Sequence, residues 1–166
     1  AIDRARKDGQ YPLLSGGDIN LYALMVERAH KLVSAKGLVG LVVPSGIAAD
    51  KNAARFFQQI ATEGRLRSLY DFENKKVFFP DIDSRFKFCT YVAGGNKRYF
   101  DNAILGFFLH ATSQIEEKAF HLTPQDFQRV NPNTGTAPLF RTPRDAEITR
   151  RIYQEFPVLH DYQEGK

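Results

Sequence analysis

Hydrophobic residues between positions 18 and 36 recur at steps of three or four, with charged residues between them. This spacing puts the apolar side chains on one face, so it predicts an amphipathic helix over residues 18–36. Asp18 is a suitable N-terminal cap, and Gly37 stands where a left-handed residue commonly ends a helix. The predicted apolar face consists of Tyr22, Val26, Ala29 and Val33.

The next segment changes from helical spacing to continuous hydrophobicity. Residues 38–43 are apolar on both faces and rich in β-branched side chains, which is typical of a strand buried between helices in a parallel sheet. Pro44, Ser45 and Gly46 end this strand, and Asp50 can cap a second helix that stops at Gly64. Residues 66–72 predict another strand, so the order helix, strand, helix, strand indicates an α/β layer.

A third strand is predicted over residues 85–93, after a loop at residues 73–84. It can return beside the second strand and ends at Gly94 and Gly95. Three strands and two helices form half of a Rossmann-like sheet, which leaves one sheet edge unpaired, so we expect the missing half to come from upstream sequence. The chain opens at Ala1 without a methionine, which reads as the start of an excised fragment.

The sequence changes character after Gly95. Residues 103–109 are apolar, whereas residues 121–143 are dense in Pro, Asn, Thr and Gly. The tetrapeptides Thr-Pro-Gln-Asp at 123–126 and Thr-Pro-Arg-Asp at 142–145 each offer a hydroxyl cap, a proline in the first turn and a carboxylate. They predict two helices, the second ending near Phe156. We therefore expect two units, residues 1–94 and a smaller mixed segment with short helices over residues 95–166.

Composition places the chain among ordinary globular proteins. Its 166 residues are 43% hydrophobic and 25% charged, which excludes a disordered chain, and a single cysteine excludes a disulfide scaffold. Cys89 lies in an apolar stretch and is predicted to be a buried thiol. No apolar run approaches the roughly 20 residues that cross a bilayer, and no signal peptide opens the chain. We expect a cytoplasmic protein with no membrane contact.

Charge gives a weaker indication. The chain carries 23 basic and 19 acidic residues, for a formal charge of +4. A polyanion partner and a solvated basic face both explain this excess, so charge alone leaves the two open. The basic residues recur at Lys75, Lys76, Arg85, Lys87, Lys97 and Arg98, and again at Arg141, Arg144, Arg150 and Arg151.

Several familiar catalytic motifs are absent from the sequence. It contains no GxGxxG turn, Walker loop, HExxH or GxSxG. Glu73 and Lys75 form a Glu-x-Lys at the end of the second strand, and with an upstream acid such as Asp50 they resemble the skeleton of a Mg²⁺-dependent nuclease. A solvated strand end explains the same residues, and the nuclease remains an alternative.

An aromatic and basic loop follows the second strand. Phe78, Phe79 and Pro80 precede Arg85 and Lys87. An exposed ring among cations suits stacking on an unpaired base, which is worth about 1–3 kcal/mol per base. The same rings could also fill the core beneath the loop. We expect one ring in each role, with Phe79, held by Pro80, as the exposed one.

Several segments in order resemble large adenine-specific DNA methyltransferases of type IIG and related restriction-modification and phage-defence enzymes. These segments are residues 17–22, 37–46, 69–75 and 79–88. The tail at residues 131–136, 138–141 and 145–148 resembles the segment that joins the methyltransferase domain to the target-recognition region. The resemblance implies that residues 1–94 are the C-terminal half of a Rossmann-like methyltransferase sheet with flanking helices. It implies that residues 95–166 are the connector and the start of the recognition region.

The resemblance also implies a reaction. Such enzymes transfer a methyl group from S-adenosylmethionine to the exocyclic amine of an adenine flipped out of double-stranded DNA. Their glycine-rich cofactor turn and their Asn-Pro-Pro-Tyr type acceptor lie upstream of the helix that begins here at Asp18, and neither occurs in this sequence. We therefore expect no catalytic residue and no metal site in this chain, no activity when it is isolated, and a partner in the upstream half of the domain.

Specific residues follow from the same resemblance. Phe79 would pack against the flipped adenine, with Lys87, or alternatively Arg85, as the accompanying cation. Pro44 and Ser45 stand at the carboxyl end of a central strand, where open α/β sheets bind ligands, and could line the pocket. The expected DNA-backbone contacts are Lys97, Arg98, Arg141 and Arg144. The alternative outside enzymology is a non-catalytic DNA-binding module.

Overall fold

The computed structural model describes residues 9–17, 20–156 and 158. Two short 3₁₀ turns, Lys51–Ala53 and Thr112–Gln114, precede helices. The helices are α1 Leu21–Leu32, α2 Gly46–Ala49, α3 Ala54–Thr62, α4 Ile115–Lys118, α5 Pro124–Val130 and α6 Pro143–Glu155. The strands are β1 Leu38–Pro44, β2 Leu66–Glu73, β3 Lys87–Gly94, β4 Ala103–Leu109 and β5 Phe120–Leu122.

The strands form one mixed sheet in the order β1-β3-β2-β4-β5. Strand β3 lies between β1 and β2 and is antiparallel to both, β2 is parallel to β4, and β4 is antiparallel to β5. The predicted α/β class is confirmed, and so is the return of the third strand beside the second. Strands from both sides of residue 94 share this sheet, while the assignment of two domains stays a prediction.

The environment of β1 differs from the prediction. Instead of lying between parallel neighbours, β1 pairs with the antiparallel β3, which inserts between β1 and β2. Its side chains alternate, with Val39 and Val43 buried while Leu38 and Val42 are exposed. A continuous apolar sequence is typical of strands that are buried on both faces. The pattern of β1 therefore did not reveal that one of its faces is exposed.

The core lies between the sheet and the helices that pack on it. Phe56, Phe57 and Ile60 of α3 are buried, as the sequence predicts for that face. Cys89 is a buried free thiol, and burial raises its pKa to about 12, so that prediction is also confirmed.

Most of the described helix ends follow local chemistry, with two exceptions. Thr123 and Thr142 both form capping boxes, with Asp126 and Asp145 respectively, as predicted. Gly64 ends α3 with φ +72°. The predictions for Gly37 and Asp50 are wrong, because α1 ends at Leu32, Gly37 is not left-handed, and the side chain of Asp50 makes no cap hydrogen bond. The predicted cap Asp18 lies outside the described residues.

A partly buried network of polar side chains connects α1 to the sheet near the C-terminal end of β3. His30 Nε2 lies 2.8 Å from Tyr91 Oη, and Arg65 Nη2 lies 3.0 Å from His30 Nδ1. Because guanidinium only donates, the proton of neutral His30 belongs on Nε2, which donates to Tyr91. Burial, helped by the charge of Arg65, lowers the pKa of His30 to about 4. The imidazole is therefore neutral at pH 7.

No helix among the described residues is long and apolar enough to span a bilayer.

Candidate functional site

The loop between β2 and β3 is organised by one buried side chain, Asn74. Its Nδ2 donates to the carbonyl oxygens of Phe79 (2.9 Å) and Ile82 (3.1 Å), and its Oδ1 accepts from the backbone N–H of Phe79 at 3.0 Å. Lys75 and Lys76 adopt positive φ of 41° and 61°, which turns the chain sharply after β2. These contacts fix the backbone of Phe79 relative to the end of the sheet.

The two phenylalanines of this loop have different environments. Phe78 is half-buried and makes edge contacts with Phe72 and Phe88, at ring-centroid distances of 5.2 and 5.3 Å. Phe79 contacts Phe88 edge-on at 5.1 Å, and 45% of its surface remains exposed. The division between a packed and an open ring is the one the sequence favours. The Phe79 ring therefore packs against the ring of Phe88 while part of its surface stays exposed.

An open apolar cavity of about 250 Å³ lies beside Phe79. Two other predicted site residues, Pro44 and Lys87, line it, whereas Ser45 and Arg85 do not. Arg85 instead forms a bidentate ion pair with Asp83 of its own loop, at 2.8 Å for the closest pair of atoms. The geometry therefore associates Lys87, rather than Arg85, with the Phe79 cavity.

Glu73, the last residue of β2, is surrounded by cationic or basic groups. Its carboxylate lies 3.0 Å from Lys87 Nζ, 3.3 Å from Lys75 Nζ and 3.0 Å from His110 Nε2. The hydrogen bond from Lys87, followed by that from His110, lowers the pKa of Glu73 to about 2. The carboxylate is thus an ion-pair centre that orients Lys87.

The arrangement needed for the nuclease alternative is not assembled among the described residues. Asp50 lies beside Gly46 and Tyr22 on the helical layer, and its charge contributes to the raised pKa of Tyr22, after burial. The described residues contain no group of three or more His, Cys, Asp or Glu side chains suited to one metal ion. Glu73 and Lys75 therefore act as an ion pair at the strand end.

Ser45 belongs to a second cavity, of about 140 Å³, which lies at the carboxyl end of β2 and β4. Its hydroxyl donates to the buried carboxylate of Asp71. Burial raises the pKa of Asp71, against the opposing effects of the Ser45 hydrogen bond and of Lys87. Lys87 and Phe108 also line this cavity, so Lys87 borders both cavities.

The four predicted DNA-backbone residues lie in three separate places. Lys97 and Arg98 follow β3, so they lie at the other end of an eight-residue strand, about 25 Å from Lys87 at a rise of roughly 3.4 Å per residue. Arg98 donates to the carbonyl of Lys36 at 3.0 Å. Arg144 lies in the first turn of α6. Among the four, Arg141 approaches the cavities, with its guanidinium 4.6 Å from the ring centroid of Phe108.

Sequence reasoning gave no role to three residues that shape this region: Asp71, Asn74 and Phe108. Asn74 carried a usable signal, because an asparagine directly after a strand commonly hydrogen-bonds to the turn that follows. Asp71 carried a weaker one, as an acid within an apolar strand sequence. Phe108 carried none, since its unusual backbone depends on pairing between β2 and β4.

The comparisons with known proteins agree with the sequence motifs. Residues 3–78, slightly less than half of the chain, match the family model of the Eco57I restriction-modification methylase. The match confirms the resemblance to restriction-modification methylases that the motifs indicate. The methylase-like segment includes β1, β2, Asn74 and the first residues of the Phe79 loop.

A solved structure described as the cryo-EM structure of a DrdV–DNA complex is similar, with 16% sequence identity and a TM-score of 0.45. The similarity covers 69% of this chain and 13% of that chain, so the present chain spans a small part of that protein's length. The comparison with curated proteins gives no match.

Proposed function

We propose that this chain is part of a DNA N6-adenine methyltransferase of a bacterial restriction-modification or phage-defence system, and that it forms the flipped-base side of the pocket. The observation that carries the proposal is the Phe79 ring. It is partly exposed, held in place by Asn74, and borders an apolar cavity that Pro44 and Lys87 also line. The family match over residues 3–78 supports the same class of enzyme.

The physical requirement of such a pocket explains why an exposed, fixed ring is useful. An adenine extruded from the duplex loses its stacking on both neighbours, at a cost of a few kcal/mol. Stacking on an aromatic side chain returns about 1–3 kcal/mol per base. A ring that is already oriented before binding loses less side-chain entropy when the base arrives. Phe79 meets this requirement because Phe88 and Asn74 restrain it.

S-adenosylmethionine would supply the methyl group in the complete protein, and we propose that its main binding turn lies in the upstream half of the domain. The glycine that follows β1, Gly46, makes room for this chain's own atoms: a Cβ there would lie 2.2 Å from Asp50 Oδ2 and 2.7 Å from Tyr22 Oη. The side chains of Asp50 and Tyr22 therefore occupy the space that Gly46 leaves free. We therefore assign no cofactor contact to this chain and propose that it is inactive when isolated.

The proposal includes the upstream half of the domain as a partner, together with double-stranded DNA and a cytoplasmic location. Among the described residues, β1 pairs with a strand on one side only. Apolar side chains are exposed on α1 and β1, which supports a covering segment in the complete protein. These side chains are Leu21, Met25, Leu32, Leu38 and Val42.

The test is Phe79→Ala in the complete native polypeptide. We expect methyl transfer and the extrusion equilibrium of the target base, followed by the fluorescence of 2-aminopurine at that position, to fall roughly 5- to 140-fold, because about 1–3 kcal/mol of stacking is lost. Overall DNA affinity should change much less. Phe79→Tyr should retain most of both signals, and Phe156→Ala, which removes a ring with 62% exposure directly after α6, is the matched control.

Two outcomes would overturn the assignment. An equal loss of flipping and of general DNA affinity in Phe79→Ala would contradict the stacking role. Robust methyl transfer by residues 1–166 alone would contradict the proposal that this chain lacks the acceptor and cofactor sites. DNA binding by the complete polypeptide with no transfer from labelled cofactor would favour the non-catalytic DNA-binding module.

A further inference from the structure

Phe108, near the end of β4, has a strained backbone at a point where the sheet pairing is irregular. Its φ is +57°, a left-handed value that is unfavourable for a residue with a Cβ. The register between β2 and β4 shifts between Tyr70 and Phe72 at the same level. The backbone N–H of Phe108 donates to Asp71, and its carbonyl accepts from Lys118 Nζ at 3.1 Å. These contacts hold the strained conformation in place.

The strained backbone presents the Phe108 ring to two cations. Lys87 Nζ lies 5.1 Å from the ring centroid, and the Arg141 guanidinium carbon lies 4.6 Å from it. With Lys118 on the carbonyl, three cations meet around one residue. We call Lys87, Phe108, Lys118 and Arg141 the Phe108 cluster.

The charges of this cluster are unequally compensated. Glu73 forms ion pairs with Lys87 and with Lys75. Within the described part of the chain, neither Arg141 nor Lys118 lies within 4.0 Å of a carboxylate oxygen. Among the residues that the structure describes, the cluster therefore keeps two positive charges without a carboxylate partner beside a partly apolar surface.

The donors of these two side chains suit a phosphodiester. A guanidinium stacked on a ring keeps its N–H edge available for a bidentate contact with phosphate oxygens. The Lys118 ammonium uses one of its three protons on the Phe108 carbonyl and retains two.

The position of Arg141 is built into the fold. The backbone N–H of Ala137 donates to the carbonyl of Ala48 at 2.8 Å, which draws the segment after α5 back across the molecule. Phe140 then packs edge-on against Phe120 at 5.3 Å. Arg141 follows directly and reaches Phe108. Because Lys87 borders both cavities, the Phe108 cluster lies next to the Phe79 cavity.

We propose that Arg141 and Lys118, arranged by Phe108, bind a backbone phosphodiester of the DNA strand whose target base enters the Phe79 cavity. This proposal rests on the proposed function. It assigns the phosphate contact to the Phe108 cluster rather than to Lys97 and Arg98, which lie at the far end of β3.

The test compares two double variants of the complete native polypeptide, Arg141→Gln with Lys118→Gln and Lys97→Gln with Arg98→Gln. Binding to a fluorescent duplex is measured by anisotropy at several KCl concentrations. We expect the magnitude of the slope of log affinity against log salt to decrease by about 1 in the first variant, because one phosphate contact is lost, and to remain unchanged in the second. Arg141→Lys should retain the slope and lower the affinity, because the charge stays and the bidentate contact is lost.

An unchanged slope in the first variant, or a loss confined to the second, would overturn the proposal. Circular dichroism identifies a variant that has failed to fold, in which case Arg141→Gln alone, an exposed position, gives the decision with an expected decrease in the magnitude of the slope of at most about 1. Competition by millimolar inorganic phosphate that abolishes duplex binding would also overturn it, since it would indicate a site for free anions.

The failure of the proposed function gives a different result. If the wild-type polypeptide shows the expected salt slopes and transfers no methyl group, the phosphate site stands and the methyltransferase proposal fails. If it transfers methyl groups and the first variant keeps its slope, the phosphate site alone fails.

Discussion

Basic residues stand at both ends of strand β3, but their surroundings differ. At the start of β3, Lys87 forms an ion pair with Glu73, lies next to the half-buried ring of Phe108 and borders two cavities. Beyond its other end, Lys97 donates its backbone N–H to Ala35, and Arg98 donates its side chain to Lys36. The end at Lys87 borders two cavities, whereas the end at Lys97 and Arg98 packs against residues 35 and 36. We call them the open end and the closed end. Basic charge in a sequence therefore indicates a binding surface only where the fold leaves that charge beside a cavity.

The closed end should be the more sensitive to added volume. A Cβ on Gly95 would lie 2.2 Å from the carbonyl oxygen of Ser34 and 2.7 Å from that of Ala35. Both are backbone atoms, so Gly95→Ala should lower the free energy of unfolding in urea by about 3 kcal/mol. Gly40→Ala is the matched control, because nothing lies within 4 Å of a Cβ there. Equal effects of the two substitutions would mean that this end is not tightly closed.

The open end should depend on its polar support. Asn74→Ala removes three hydrogen bonds from a side chain in a residue only 1% exposed. We expect the free energy of unfolding to fall by about 2 kcal/mol, because buried backbone groups lose their hydrogen-bond partners. Hydrogen exchange of the Phe79 amide should accelerate. Asn96→Ala, an exposed asparagine beyond the far end of β3, should change neither quantity. Slow exchange of Phe79 in Asn74→Ala would show that the loop is held by its aromatic rings alone.

The closed end should also respond to pH. The pKa of His30 is about 4 in the folded protein, below its ordinary value of 6.5, so the unfolded chain binds a proton more readily. Stability should therefore be complete above about pH 6.5 and decline as the pH falls toward 4. Urea unfolding at several pH values measures this slope, and His30→Asn should flatten it. The control His121→Gln should keep the wild-type slope, and an unchanged slope in His30→Asn would contradict the assignment.

Local chemistry explains which parts of the fold the sequence could predict. The capping boxes at Thr123 and Thr142 need only residues three positions apart, and both are present. The face of α3 and the extent of β2 also follow from short-range spacing. The neighbours of β1 were not predictable in this way, because they depend on where β3 inserts. Phe108 depends in the same manner on a register shift between distant strands.

The candidate site shows the same division. The exposure of Phe79 follows from an aromatic pair ahead of a proline in a strand-connecting loop, whereas its support by Asn74 and Phe88 was not predicted. The separation of Ser45 from the Phe79 cavity does not, since its neighbour Pro44 lines one cavity and Ser45 itself lines the other. Neighbouring residues on a strand point to opposite faces, so adjacency in sequence did not mean adjacency in the site.

Asn74 divides the loop between β2 and β3 into a fixed half and an adjustable half. Its three hydrogen bonds end at Phe79 and Ile82, whereas Asp83 and Arg85 bond mainly to each other. Residues inserted after Asp83 would leave the Phe79 ring where it is, while a single residue inserted before it would displace the ring. Length variation among related proteins is therefore expected to accumulate at residues 83–85 of the second half, since Phe86 again lines the Phe79 cavity.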